Sequence, residues 1–196
     1  MNILMGNEYL VFDDAPINKL LSDFWAWNCS DLLNNTMRGA FAEFIIASAL
    51  EIDMSSSRID WDAFDLLWQG IRIEVKSSAY LQSWEQRGPS RIVFSIREAH
   101  ELTTGAWDAA TIRRHSDVYA FCVFNCLDRA VADPLNLDQW DFYIVPTKTI
   151  DSTLGAQKTI SLPALLRLSP VKCDFDGIAS AIEEASSKTL FSTATE

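Results

Sequence analysis

Between the turn residues Gln69-Gly70 and the pair Ser77-Ser78, the chain alternates strictly between β-branched and charged side chains: Ile71, Arg72, Ile73, Glu74, Val75, Lys76. Successive side chains of a strand point to opposite faces, so this segment turns Ile71, Ile73 and Val75 to one side and Arg72, Glu74 and Lys76 to the other. On a helix the same order would spread charge around the whole circumference, so a strand with its apolar face on a core is the arrangement that fits. The preceding run, AFDLLW, is a second β-rich segment. Gly70 supplies the positive φ of a tight turn, and the two runs are expected to fold back on each other at Gln69-Gly70.

Three more short β-rich runs follow, RIVFSI, DVYAFCVF and DFYIVP, which brings the expected sheet to about five strands. Apolar residues at helical spacing in PINKLLSDFWAW (16–27), and again from Met37 to Leu50, predict two helices before the sheet. After it, Ser161 is placed to cap LPALLRL, and FDGIASAIEEASS carries an apolar stripe beneath an acidic face. Helices, strands and helices in that order predict the α/β class, a mixed central sheet flanked by helices. No repeat or linker divides the 196 residues, so residues 1–196 are read as one domain, large enough to bury roughly two-thirds of its unfolded surface.

With 48% hydrophobic and 22% charged residues, the composition is that of a water-soluble domain, and no apolar run approaches the ~20 residues that cross a bilayer. The opening residues, MNILMGNEYLVFDD, lack the basic and apolar regions of a secretion signal, so the cytoplasm is the expected compartment. Cys29, Cys122, Cys126 and Cys173 form no CxxC pair and are expected as buried reduced thiols rather than zinc ligands. A net charge of -11 argues against a general nucleic-acid coat protein but leaves room for a local basic groove.

Asp65 interrupts AFDLLW, where its neighbours are apolar, and the hairpin would bring it close to Glu74. Two carboxylates brought together repel, and the usual remedies are an oxygen-seeking cation such as Mg²⁺ or a raised pKa on one of them. Lys76 alone would offset part of the charge. Neutralising Asp65 is then expected to relieve repulsion and raise the melting temperature. A divalent ion on such a pair binds a phosphate oxygen, activates water and stabilises the leaving oxygen, while a lysine steadies or deprotonates that water. The chemistry to which this combination is suited is metal-assisted phosphodiester hydrolysis.

Asp65 followed by Glu74-Val75-Lys76 resembles the D…(D/E)xK signature of the PD-(D/E)XK phosphodiesterases, the restriction-endonuclease-like superfamily, with Phe64 where the short pattern has Pro. The resemblance implies a restriction-endonuclease-like core, Mg²⁺ or Mn²⁺ as cofactor, Asp65 and Glu74 as metal ligands, and Lys76 as catalytic base or water-positioning residue. It also implies a role for Glu43, on the helix ahead of the hairpin, as a third metal-site carboxylate acting directly or through water. The alternative for Glu43 is a structural pairing with Arg38 or Arg72. Gln82, six residues beyond the lysine, corresponds to a glutamine that in several branches orients water or contacts the substrate backbone; packing beside Tyr80 and Trp84 is its other reading.

The stretch beyond the motif is the least acidic part of the chain. Arg87, Arg91, Arg97, Arg113 and Arg114 are candidates for phosphate contacts along a cleft, and Trp84 and Trp107 for base contacts, although aromatics at this density usually belong to a core. His115 is expected in a surface hydrogen bond, and His100 carries no signal. The combined reading is a Mg²⁺-dependent endodeoxyribonuclease of restriction, phage-defence or repair type. Against it stand a structure-specific or RNA-directed nuclease, an inactive nuclease-fold module binding DNA or a protein, and an acidic interaction subunit. Cutting both strands of a duplex would suit a homodimer.

Overall fold

The computed structural model describes residues 3–55, 63–99 and 112–191. Among them run β1 (Tyr9–Phe12), β2 (Ala15–Leu20), α1 (Leu21–Cys29), α2 (Asn35–Ala49), β3 (Leu66–Trp68), β4 (Ile71–Ala79), β5 (Val93–Ser95) and β6 (Val118–Phe124). The order continues with β7 (Trp140–Pro146), α3 (Thr147–Leu154), β8 (Thr159–Ser161), α4 (Leu162–Leu166), β9 (Val171–Cys173) and α5 (Ile178–Phe191).

The central sheet has five strands in the order β3-β4-β6-β7-β9. β4 and β6 run parallel while every other neighbouring pair is antiparallel, so the sheet is mixed, as the sequence predicts. All seven residues of β6 are buried. A strand covered on both faces needs such a continuous apolar run.

One face packs Ile73, Val75, Val118, Ala120, Phe142 and Ile144 against Ala42, Ile45 and Ile46 of α2 and Ile178 and Ile182 of α5. The opposite face packs Tyr119, Phe121, Val123 and Val145 against Phe94, Ile150, Ile160 and Leu165, from β5, α3, β8 and α4. The strand periodicity therefore lands as read, with Ile73 and Val75 on the α2 side.

The hairpin at Gln69-Gly70 is present, with φ of 50° and 82° at the two turn residues and Leu66 opposite Ile73. Both turn residues at positive φ give the strand-matching turn. The same device explains one error of the sequence reading. Asp13 and Asp14 also sit at φ of 49° and 58°, closing a hairpin of β1 and β2, so Pro16 lies in a strand and the helix begins only at Leu21. Aspartate tolerates this left-handed conformation better than most residues, and the apolar spacing of residues 16–27 hid the turn. The first helix buries no residue.

Two further differences concern the sheet. RIVFSI does form a strand, but β5 pairs with β8 in a separate two-stranded sheet, and the fifth central strand is β9. α2 begins with Asn34, whose side chain accepts from the N–H groups of Thr36 and Met37, whereas Ser161 precedes α4 without a side-chain capping bond.

Arg72 ties β4 to the start of β6. Its guanidinium donates through Nε and Nη2 to the two carboxylate oxygens of Asp117 at 3.0 and 2.7 Å, and its backbone N–H donates to the same carboxylate at 2.9 Å. Burial alone would raise the Asp117 carboxyl, but the bonds and charge of Arg72 outweigh it and hold the pKa below the ordinary aspartate value. A carboxyl that binds protons less readily when folded adds stability above its unfolded pKa of about 3.9, and this stability is lost as pH falls through the lower folded value. Asp117→Asn should therefore lower the melting temperature at neutral pH, and the gap from wild type should close as pH drops below about 4; thermal unfolding across pH 2–7 measures it.

Candidate active site

β4 is nine residues long and β3 three, so the hairpin ladder covers only the first part of the outer edge of β4. The pairing ends with Asp65, whose backbone N–H donates to the carbonyl of Ile73 at 3.0 Å. Extending the register by one residue sets Asp65 opposite Glu74. The next edge donor, the N–H of Val75, is taken by the Asp65 carboxylate at 2.7 Å. Asp65 thus ends the hairpin by replacing a backbone acceptor with a charged side-chain acceptor, which is the stronger kind.

Lys76 stands between the two acids. Its Nζ lies 2.5 Å from a Glu74 oxygen and 4.0 Å from a carboxylate oxygen of Asp65. All three side chains are largely buried, with 20–27% of each exposed. The charged face of β4 is therefore half enclosed rather than open to solvent. Burial pulls the Lys76 pKa down, but Glu74, Asp65 and, more weakly, Glu43 outweigh it and hold the ammonium above the ordinary lysine value.

Glu43, on α2, is half-buried and near enough for its charge to act on both Lys76 and Cys122. Of the two arginines weighed as its structural partners, Arg72 is engaged with Asp117, and Arg38 donates to Leu33, Asn35 and Gln82. Among the described residues, no three His, Cys, Asp or Glu side chains converge closely enough to hold a metal ion. Asp65, Glu74 and Glu43 consequently do not form a closed cage. Two carboxylates facing one cation are nevertheless the donor set that suits Mg²⁺, which usually takes one or two carboxylates, keeps several waters and completes its shell with substrate phosphate.

Beyond Lys76, β4 leads into a cleft of about 340 Å³ whose walls include Arg38, Ser77, Ser78, Gln82, Trp84 and Arg91. Gln82 is buried. Its side chain donates to the carbonyl of Ala79 at 2.9 Å and accepts from Nη1 of Arg38 at 3.4 Å, so it faces Arg38. Trp84 stands 55% exposed at this cleft rather than in the core.

The expected arginines divide. Arg91 is exposed and lines the cleft, and Arg87 is exposed in the loop that precedes it. Arg113 is exposed and donates to Nδ1 of His115 at 3.4 Å. Arg114 is buried, ion-paired to Asp151 at 2.6 Å and bonded to the carbonyls of Ile96, Gly155 and Gln157. Its donors are spent inside the fold, which corrects its reading as a groove residue. His115 is likewise buried, with Nε2 3.0 Å from the carbonyl of Ala99, rather than on the surface. His100 and Trp107 lie outside the described residues. The four cysteines are unpaired, but only Cys122 is buried; Cys29, Cys126 and Cys173 are half-buried, which corrects the expectation of buried thiols, and burial raises the Cys173 thiol to about 11.

Two residues of the site escaped the sequence reading. Arg38 was weighed only as a partner for Glu43, yet it occupies the buried stripe of α2 with Ala42 and Ile45; a cation at a core position of an amphipathic helix was the available signal. Arg129 donates to the carbonyls of Gln82 and Trp84 at 2.7 and 3.1 Å and so fixes the loop after β4. It lies far off in sequence, and nothing local marks it.

The geometry reverses the expected effect of neutralising Asp65. With Lys76 already offsetting its charge and the Val75 N–H bonded to it, Asp65→Asn should destabilise the metal-free protein by about 1 kcal/mol, the difference between a charged and a neutral acceptor. Urea unfolding in a chelating buffer checks the sign.

The family profile described as bacteriophage T4 endonuclease IV matches residues 17–163. This span runs from β2 to α4 and contains Glu43, Asp65, Glu74, Lys76, Gln82 and the whole cleft. No curated protein and no solved structure matches the chain.

Proposed function

The chain belongs to the bacteriophage T4 endonuclease IV family, and from that premise we propose that it is a metal-dependent endodeoxyribonuclease of PD-(D/E)XK type, with its active centre at Asp65, Glu74 and Lys76. The observation that carries the proposal is the position of Lys76, held as an ammonium between two acids just past the end of the β3 pairing on β4. An ordinary surface ion pair is solvent-exposed, whereas these three charged side chains are largely buried together.

In this reading Asp65 and Glu74 would hold Mg²⁺, with Mn²⁺ as substitute and Glu43 acting through water. When bound, the ion would supply Lewis-acid activation of the phosphoryl group and lower the pKa of water. The remaining work falls to the protein. Lys76, charged and flanked by carboxylates, is suited to donating a hydrogen bond that orients water or a phosphate oxygen, which favours positioning over its role as base. The Val75 bond fixes Asp65, and the β4–β6 register fixes Glu74 and Lys76, so the reacting groups need little ordering during the reaction. Arg87, Arg91 and Arg113 would contribute phosphate contacts from the exposed surface. Among the described residues, no helix is long and apolar enough to cross a membrane. A homodimer acting on both strands and a role in restriction, phage defence or repair belong to the same proposal.

Incubating the protein with plasmid, single-stranded DNA and RNA in Mg²⁺, Mn²⁺ or chelator tests the activity and its substrate together. Cleavage of DNA only with metal is expected; metal-independent cleavage, or none of any substrate, contradicts the proposal. Glu74→Gln and Lys76→Met should each lower the rate by at least about a hundredfold. Circular dichroism should confirm that both variants remain folded.

Metal binding separates the two roles. The wild type should gain about 2.7 kcal/mol of stability when free Mg²⁺ or Mn²⁺ reaches a hundred times its dissociation constant. Lys76→Met should keep that gain, and Glu74→Gln should lose most of it, as read by thermal unfolding.

A further inference from the structure

Arg38 is 4% exposed, yet among the described residues its charge has no counter-ion. Its Nη1 donates to the carbonyl of Leu33 at 2.8 Å and to Gln82, and its Nη2 donates to the side-chain oxygen of Asn35 at 2.6 Å; all three acceptors are neutral. Its Nε is buried with no hydrogen-bond partner. A buried cation without an anion is costly, and a buried donor without an acceptor adds to that cost. The same residue forms part of the wall of the cleft beside Lys76.

The rest of that wall is largely polar, with Trp84 and Val93 its other members. Asn35, Ser77, Ser78, Gln82, Ser90 and Arg91 surround the opening, and no acidic residue is among its lining residues. In a chain of net charge -11, a pocket with two arginines and no carboxylate among its described lining residues is suited to an anion. Ser77 follows Lys76 directly, and by the two-residue repeat of the strand its backbone turns to the same open edge as that of Val75.

We infer that this cleft is a phosphate-binding subsite, in which Arg38 and Arg91 hold an internucleotide phosphate of the DNA strand adjacent to the one cut at Lys76. The inference rests on the nuclease reading and adds to it a register: the strand enters along the part of the outer edge of β4 that has no strand partner among the described residues, one phosphate in the cleft and the next at the acids. At about 3.3 Å per residue, the step from Lys76 to Ser77 and Ser78 covers roughly the spacing of neighbouring phosphates on one strand. The phosphate gives the Arg38 charge its missing counter-ion, while Gln82 and Asn35 keep the guanidinium turned to the cleft. Arg129 acts indirectly, by holding the loop that carries Gln82 and Trp84.

The test measures binding of a labelled single-stranded oligonucleotide in chelating buffer, where no cleavage occurs, at several salt concentrations. Arg91→Ala and Arg38→Gln should each weaken binding on the order of tenfold and lower the slope of log affinity against log salt by about 0.7. Because Arg38 also supports the start of α2, the second arm uses wild-type protein and needs no substitution there. A series of oligonucleotides, each with one neutral methylphosphonate linkage, should show a loss of similar size at a linkage next to the cut. That loss should vanish in Arg91→Ala. Unchanged slopes together with a flat methylphosphonate series would overturn the subsite. Sensitivity only to removal of a terminal phosphate would replace it with an end-recognition pocket, and stabilisation by inorganic phosphate without any effect on the DNA slope would replace it with a free-anion site. If the wild type cuts DNA with metal but shows these contrary results, the subsite alone fails; if it neither binds nor cuts DNA, the nuclease reading fails and the subsite with it.

Discussion

The parallel pairing of β4 with β6 is the constraint on which the rest of the site depends. Seven consecutive residues of β4, from Ile73 to Ala79, are in register with β6, which is buried along its whole length. With one edge of β4 locked to the most buried strand and one face locked to α2, its remaining edge and its charged face have fixed positions. A three-residue partner covers the start of that edge, and among the described residues no strand pairs with the rest. Rigidity and access meet on one strand.

What the strand presents there is charge of opposite sign at two neighbouring places. At the end of the hairpin, Asp65, Glu74 and the nearby Glu43 gather around the ammonium of Lys76. In the cleft beyond, Arg38 and Arg91 stand with no acid among the lining residues. Hydrogen bonds hold each set in its own place: Asp65 to the Val75 N–H, Arg38 to Leu33, Asn35 and Gln82. A cation at the first place and a phosphate at the second would match both, and a phosphodiester substrate with its divalent ion brings one of each.

Local patterning made most of this legible. The alternation from Ile71 to Lys76 predicted the faces of β4, Gln69-Gly70 predicted the turn, and both follow from interactions within a few residues. The Asp13-Asp14 turn was missed because its signal is weaker than a glycine's and competed with apolar spacing that mimics a helix. The exchange of β5 for β9 in the central sheet could not be read locally, since strand order is decided by long-range packing on the two faces of β6. Arg114 shows the same limit. Adjacent arginines in a polar stretch suggest a groove, but one of the two points inward to Asp151 and three backbone carbonyls supplied by distant segments.

The most direct test of the central claim is a crystal structure of the protein with Mn²⁺ and a non-cleavable DNA strand, with the metal located by its anomalous scattering. The account predicts an anomalous peak bridging the carboxylates of Asp65 and Glu74, with Lys76 on the same phosphate or on a water beside it. Metal-dependent cleavage in solution together with a peak at any other residues, or with none at this pair, would contradict it.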